Sequence, residues 1–292
     1  APPPPRLDPR PAPGEAARRP SSVPAAVSDA PALLMHAAAD VARVAGDVAL
    51  RHFRRGPAGG ALAVETKGDG SPVTIADRGA EEAARAWLAD RFPRDGILGE
   101  EFGVTRPDAP RRWILDPIDG TKTFVRGVPL WGTLVACVEG AGADATVLAG
   151  AAYFPAVGEL VAAAPGEGCW WNGGRARVSG VASLGEATVL TTDPRFAHRP
   201  DRRDAWRRLE DAALLSRTWA DCYGYLLVAT GRAEAMVDAI VGDWDTAPLL
   251  PIVEEAGGAF TDWEGRRTAL GGSAVATNAA LAAAVRATLR GA

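Results

Sequence analysis

The chain has 292 residues, 47% of them apolar, with a formal net charge of −4 and a pI near 5.5. That length buries a sizeable core, as one large domain or two closely packed halves. The acidic balance and the lack of a dense Lys/Arg block argue against nucleic acid or a membrane surface as partner, and no apolar run reaches the roughly 18 residues that span a bilayer.

Residues 1–30 are rich in Pro, Ala and Arg and lack the apolar stretch of a secretory signal. They read as a disordered extension; their arginines resemble those of a transit peptide, but the prolines break an amphipathic helix. From Leu33 to Phe53 the apolar residues Leu34, Ala38, Val41, Val44, Ala45 and Val48 recur at helical spacing, with an end at Gly56-Pro57. A short strand over Leu62–Thr66 leads into the polar loop Lys67–Ser71. A second helix over Ile75–Arg91 follows, with Thr74 as N-cap. Strands are expected at Ile97–Leu98 and Trp113–Leu115, each running into acids, and four more between Leu130 and Val178, with a turn at Asn172-Gly173-Gly174.

Beyond residue 179 strands (Thr188–Thr191, Glu234–Val237, Gly258–Phe260, Ala274–Ala276) alternate with helices (Arg203–Ala213, Tyr223–Thr230, Thr246–Ala256, Ala279–Arg290). The pattern divides the chain into an α+β half, residues 31–178, and an α/β half, residues 179–292. Layered sheets with helices between and outside them are the expected architecture. The odd set Cys137, Cys169 and Cys222, without C-x-x-C spacing, fits reduced thiols in a cytoplasmic protein.

The chemistry concentrates in Trp113-Ile-Leu-Asp116-Pro-Ile-Asp119-Gly-Thr121. A strand ends in Asp116, turns at Pro117, presents Asp119 and opens a helix at Gly120. Two carboxylates so placed, with the Ile118 carbonyl between them, can converge on a hard cation such as Mg²⁺. The Gly120 and Thr121 amides at a helix start can cradle phosphate. Taken alone, the segment reads first as a capped helix with acids in its first turn; two further acidic features change that. Gly99-Glu100-Glu101 ends the preceding strand at the same sheet edge, and Trp244-Asp245 opens a helix far downstream. Like charges gathered in one place need neutralising, and metal ions do this.

Gly99–Glu101, Asp116–Thr121 and Trp244-Asp245…Glu255-Ala-Gly-Gly258 together resemble the signature motifs of the inositol monophosphatase family. Lys67…Ser71-Pro-Val-Thr74…Asp77 and Gly166-Glu-Gly168…Asn172-Gly173…Val178-Ser179 extend the resemblance to residues 33–290. It implies an αβαβα sandwich, usually a homodimer, and two or three Mg²⁺ ions held by Glu100, Asp116, the Ile118 carbonyl, Asp119 and Asp245. It also implies attack on phosphorus by a metal-activated water, without a covalent intermediate. Glu100 and Thr121 would position and deprotonate that water, with Asp77 accepting from Thr121. Lys67, with Glu101, is an accessory candidate at a third metal; a solvated surface lysine explains Lys67 as well.

Other chemistries fit less well. Haloacid dehalogenase-type phosphatases need aspartates two apart, whereas Asp116 and Asp119 are three apart. Cys169-Trp-Trp-Asn-Gly-Gly-Arg175 satisfies Cys-x5-Arg, but paired tryptophans suit a strand entering a turn. His36, His52 and His198 lie outside every motif, which disfavours a phosphohistidine or His-rich zinc site. A glycoside hydrolase needs paired carboxylates but not the Gly-Thr behind them. An inactive phospho-ligand-binding relative would be expected to lack one of the acids.

Within the family, three segments resemble the histidinol-phosphatase branch: Asp119–Thr133, Asp221-Cys-Tyr-Gly-Tyr225…Ala229-Thr-Gly231 and Gly271–Asn278. Histidinol phosphate carries an ammonium and an imidazole. Asp238 lies seven residues before Asp245, where the family places a substrate-contacting acid, and can meet the ammonium; a solvent-facing strand end is the plainer role. Asp221 and Tyr223 can line the imidazole end, or Asp221 can simply cap a helix. Lys122 and Arg126 either offset phosphate charge or lie on a solvated helix face. Inositol 1-phosphate and other small phosphate esters remain the alternative substrates.

Overall fold

The computed structural model describes residues 29–54, 64–66, 72–140, 145–219 and 221–291. Residues 1–28 of the expected extension, the Gly56-Pro57 helix end and the Lys67–Ser71 loop, Lys67 included, lie outside the described residues. Helix α1 (Pro31–Leu50) opens with proline in its first turn, where a missing N–H leaves no bond unmade. The hairpin of β1 (Val64–Thr66) and β2 (Pro72–Thr74) leads into α2 (Ile75–Arg91). Thr74 caps α2 as its sequence suggests: its Oγ1 accepts from Ala76 N at 3.1 Å, while its own N–H donates to Asp77 at 2.8 Å.

Eight strands then form one sheet: β3 (Gly96–Gly99), β4 (Gly103–Thr105), β5 (Arg111–Asp119), β6 (Gly132–Glu139), β7 (Thr146–Phe154), β8 (Glu159–Ala164), β9 (Gly168–Trp171) and β10 (Gly174–Arg175). Their order is β10-β9-β8-β7-β6-β5-β3-β4, antiparallel except for the β3–β5 pair. Between β5 and β6 sits the short helix α3 (Thr121–Val125). A second sheet has the order β12-β11-β13-β15-β14, from β11 (Thr188–Leu190), β12 (Leu215–Arg217), β13 (Ala235–Asp238), β14 (Gly258–Thr261) and β15 (Ala274–Asn278). Its helices are α4 (Pro200–Ala212), α5 (Cys222–Ala229), α6 (Asp243–Thr246), α7 (Leu249–Glu255) and α8 (Ala282–Arg290).

Strand side chains alternate between the two faces of a sheet, and here the alternation sorts the core into layers. Trp113, Leu115, Val135 and Cys137 pack with α1 and α2 on the outer face. Ile114, Leu134 and Ala136 point the other way, onto α5 and α7, which also cover Met236, Phe260 and Ala276 of the second sheet. On the far side of that sheet, Val189, Val237 and Val275 pack against α4 and α8. The result is the αβαβα sandwich, both faces of both sheets being covered. No helix among the described residues is long and apolar enough to cross a membrane.

Several boundaries differ from the sequence pattern for local reasons. The 113–115 strand runs on to Asp119 as β5, because the segment after Asp116 still pairs with β6. Among the described residues between 132 and 175 there are five strands rather than four; the extra one is the two-residue β10, closing a hairpin at Asn172 (φ 46°) and Gly173 (φ 83°). The expected 246–256 helix is instead α6 and α7, parted at Ala247-Pro248, and Asp245 lies inside α6 rather than before it. The three-residue β4 and β12 are too short to show a period.

At the α6–α7 junction the middle layer lies close against the first sheet. Gly150, opposite Ala136 on β7, lies against the Pro248 backbone, and a Cβ there would strike the Pro248 carbonyl. Gly150→Ala is therefore expected to lower stability by about 1–3 kcal/mol through overpacking, read as a reduced midpoint in urea unfolding at unchanged slope.

Candidate active site

Asp116 and Asp119 owe their convergence to a β-bulge. In a regular strand, residues three apart face opposite ways. Here Asp116 pairs with Leu134 and Asp119 with Gly132, so two residues of β5 stand opposite the single Thr133. The extra residue restores the parity and brings both aspartates to one side. The bulge is pinned by Thr133 Oγ1, which donates to the Pro117 carbonyl at 2.8 Å, and by Ile118 N–H, which donates to Asp116 Oδ1 at 3.0 Å. Gly120 follows in the left-handed region (φ 85°), where a Cβ would lie 2.9 Å from Asp221 Oδ2. Both its conformation and its neighbour call for glycine.

Other elements supply the remaining groups. Glu100 follows β3, near enough to Asp116 for its carboxyl to act on that of Asp116. Asp77, almost fully buried in the first turn of α2, accepts from Thr74 and lies 3.5 Å from Thr121 Oγ1. That hydroxyl is closer to the Ile118 carbonyl, at 3.0 Å. Asp245 arrives from α6, its Oδ2 accepting from Gly242 N–H at 2.7 Å. Asp116, Asp119 and Asp245 each bring a carboxylate oxygen within 4.8 Å of the others.

An adjoining cavity is lined by Asp119, Asp221, Asp238, Asp245 and Tyr225, among others. Asp238 is buried rather than solvent-facing; it accepts from Thr192 N–H and from Tyr225 Oη, both at 2.9 Å. Asp221 stands at the start of α5 without a side-chain cap, and accepts from Thr123 Oγ1 at 3.1 Å. Tyr223 is not among the lining residues. Its hydroxyl donates to Glu159 at 2.9 Å, and its ring meets Phe154 edge-on. The reason is helical phase: residue 225, four on from Asp221, shares its face, whereas residue 223 does not. Tyr225 is thus the tyrosine of this cavity, and i, i+4 spacing is the signal that identifies it. Also unforeseen from the sequence is the Cys222 N–H, which donates to Asp119 Oδ2 at 2.6 Å.

Burial, followed by the charges of Glu100, Asp119 and Asp245, pushes the Asp116 carboxyl well above the usual carboxylate range. Asp119 rises for the same reasons, burial first and then Asp221 and Asp245. Burial also takes Asp245 up to about 7 and Asp238 to about 6. Among the described residues no Lys or Arg forms an ion pair with Asp116, Asp119 or Asp245. An all-oxygen donor set of this spacing, buried and short of positive charge, fits a hard divalent cation.

Cys169 offers no rival nucleophile. It is buried on β9, and burial pushes its thiol up to about 12.

The sequence profile of the inositol monophosphatase family matches residues 32–291. Histidinol-phosphatase from Chlorobaculum parvum is 44% identical over 236 residues, covering 80% of this chain and 88% of that protein. Histidinol-phosphatase from Mycobacterium tuberculosis is 40% identical, covering 75% and 85%. The structure of an inositol monophosphatase from Zymomonas mobilis aligns with a TM-score of 0.76 at 33% identity, over 88% of this chain and 97% of that one. With the layered fold and the acidic cluster, these likenesses establish that the chain belongs to the inositol monophosphatase family of metal-dependent phosphoric monoester hydrolases.

Proposed function

We propose that this chain is a Mg²⁺-dependent phosphatase that hydrolyses L-histidinol phosphate to L-histidinol and phosphate. The observation that carries the substrate assignment is the cavity beside the acidic cluster, whose lining adds Asp221 and Asp238 to Asp119 and Asp245. A pocket with surplus acids suits a leaving alcohol that is itself a cation, and the histidinol-phosphatase relatives favour the same choice.

Two or three Mg²⁺ ions would be held by Glu100, Asp116, the Ile118 carbonyl, Asp119 and Asp245, with Lys67 and Glu101 accessory to a third. Once bound, they lower the pKa of water and offset the charge that builds on phosphate and leaving oxygen. Glu100 and the Thr121 hydroxyl orient the attacking water. Glu100 takes its proton, and Asp77 keeps Thr121 turned for the task. The Gly120 and Thr121 amides at the start of α3 would receive phosphate oxygens. Asp238, fixed by Tyr225 and Thr192, and Asp221, fixed by Thr123, would receive the ammonium and imidazole of the substrate. The protein is taken to act in the cytoplasm as a homodimer. An inositol phosphate is the second reading, favoured by the likeness to the Zymomonas mobilis enzyme.

Phosphate release from L-histidinol phosphate and myo-inositol 1-phosphate, measured side by side, tests the assignment. Histidinol phosphate is expected to be strongly preferred, with activity abolished by chelation and restored by Mg²⁺. Asp119→Asn is expected to lower the rate by at least about 100-fold, the upper end of what loss of a ligand-supporting group costs. A preference for inositol phosphate would overturn the substrate assignment while leaving the metal chemistry intact.

A thiol mechanism makes the opposite predictions for Cys169. Because the folded-state pKa is raised, the thiol stays protonated through neutral and mildly alkaline pH and is a poor nucleophile. Cys169→Ala is expected to retain activity, and iodoacetamide at about pH 8 to leave the native enzyme active. Rapid inactivation with alkylation at Cys169 would contradict this.

A further inference from the structure

We infer that Glu81 is a positioning residue for Glu100; the inference rests on the metal-dependent reading above. Glu81 lies on α2 four residues after Asp77, so both acids share one helix face. It is completely buried. A carboxylate so enclosed needs every lone-pair direction used, and this one divides its two oxygens between different duties. Oε2 accepts the Glu101 N–H at 2.7 Å. Oε1 accepts the Phe102 N–H at 3.2 Å and Arg85 Nε at 2.7 Å. Arg85 goes on to bond Thr105 Oγ1 at 2.6 Å and the Gly103 carbonyl, so α2 grips the β3–β4 turn and the strand that follows it.

Glu100 is caught between this grip and β5. Its own N–H donates to the Leu115 carbonyl at 3.2 Å, and the next residue along β5 is Asp116. The following amide, that of Glu101, is the one Glu81 holds. On the other side, Gly99 has no room for a side chain, because a Cβ would run into the Glu81 carboxylate. The backbone on either side of Glu100 is therefore fixed against Glu81, while the Glu100 carboxyl reaches Asp116. Loss of the Glu81 grip frees the peptide that aims Glu100 at the acidic cluster.

A purely structural anchor would make the same bonds, so the test needs a readout that stability does not move. Glu81→Gln keeps the size of the side chain but carries one acceptor oxygen and one NH₂. Whichever way the amide turns, a donor then faces a donor, either at Glu101 N–H or at Phe102 N–H and Arg85. Mg²⁺ is titrated calorimetrically into the metal-free full chain, wild type and variant, at a temperature well below both melting points; steady-state kinetics are then run at saturating Mg²⁺. The expected result is an Mg²⁺ affinity and a kcat each lowered by about 10–100-fold, with KM for the phosphate ester little changed. If Glu81→Gln does not fold, Glu81→Asp carries the test, since it keeps both acceptors but sets them one methylene back; a smaller loss of Mg²⁺ affinity is expected. Unchanged Mg²⁺ affinity and kcat in a folded variant would overturn the inference and leave Glu81 a stabilising anchor. A wild-type chain that binds no Mg²⁺ would instead overturn the metal reading, and this inference with it.

Discussion

Carboxylates held together out of water are the constraint around which this molecule is arranged. Oxygens of Asp116, Asp119 and Asp245 lie within 4.8 Å of one another. At an effective dielectric of about 20, two full charges at that separation repel by about 3.5 kcal/mol. Three such pairs amount to roughly 10 kcal/mol, comparable with the whole net stability of a typical domain at about 5–15 kcal/mol. Burial and mutual repulsion accordingly raise these carboxyls above the usual carboxylate range. A divalent cation removes the cost without protonation, so binding and ionisation are coupled.

The backbone pays attention to the same problem through oriented N–H groups. Asp119 receives the Cys222 amide, Asp245 the Gly242 amide, and Asp116 that of Ile118. Each of these bonds favours the ionised carboxyl, opposing the effect of burial. They also fix rotamers, so the acids are already turned toward one another rather than spread to reduce repulsion. The supporting groups come from the bulge in β5, the start of α5 and the loop before α6, which are remote in sequence.

How legible this was follows from the range of each signal. The acids themselves, the capping of α2 by Thr74 and the hairpin at Asn172-Gly173 are local patterns, and the structure has them where the residues indicate. The layered fold was legible too, because strand alternation and helix periodicity survive burial. The bulge was not: Asp-Pro-Ile-Asp reads as a turn, and only the register against β6 shows that β5 continues through it. Tyr223 and Tyr225 are equally plausible beside Asp221 until the exact start of α5 sets the helical phase. Glu81 looks like any helix glutamate, since its partners are amides twenty and twenty-one residues away. Side-chain-to-backbone bonds over such distances leave no composition or period to detect.

The site also crosses the layers of the sandwich. Asp116 and Asp119 belong to the eight-stranded sheet, Asp238 ends a strand of the second sheet, and Asp245 and Asp221 come from the helices packed between them. Those middle helices touch both sheets, through Leu134 and Ala136 on one side and Met236 and Phe260 on the other. Neither sheet alone can assemble the donor set, so a cation that binds all of it binds only the docked arrangement. By mass action such a ligand stabilises the docked state in proportion to its affinity. The middle layer therefore has two jobs that cannot be separated: it buries the inner faces of the two sheets, and it brings the third aspartate to the other two.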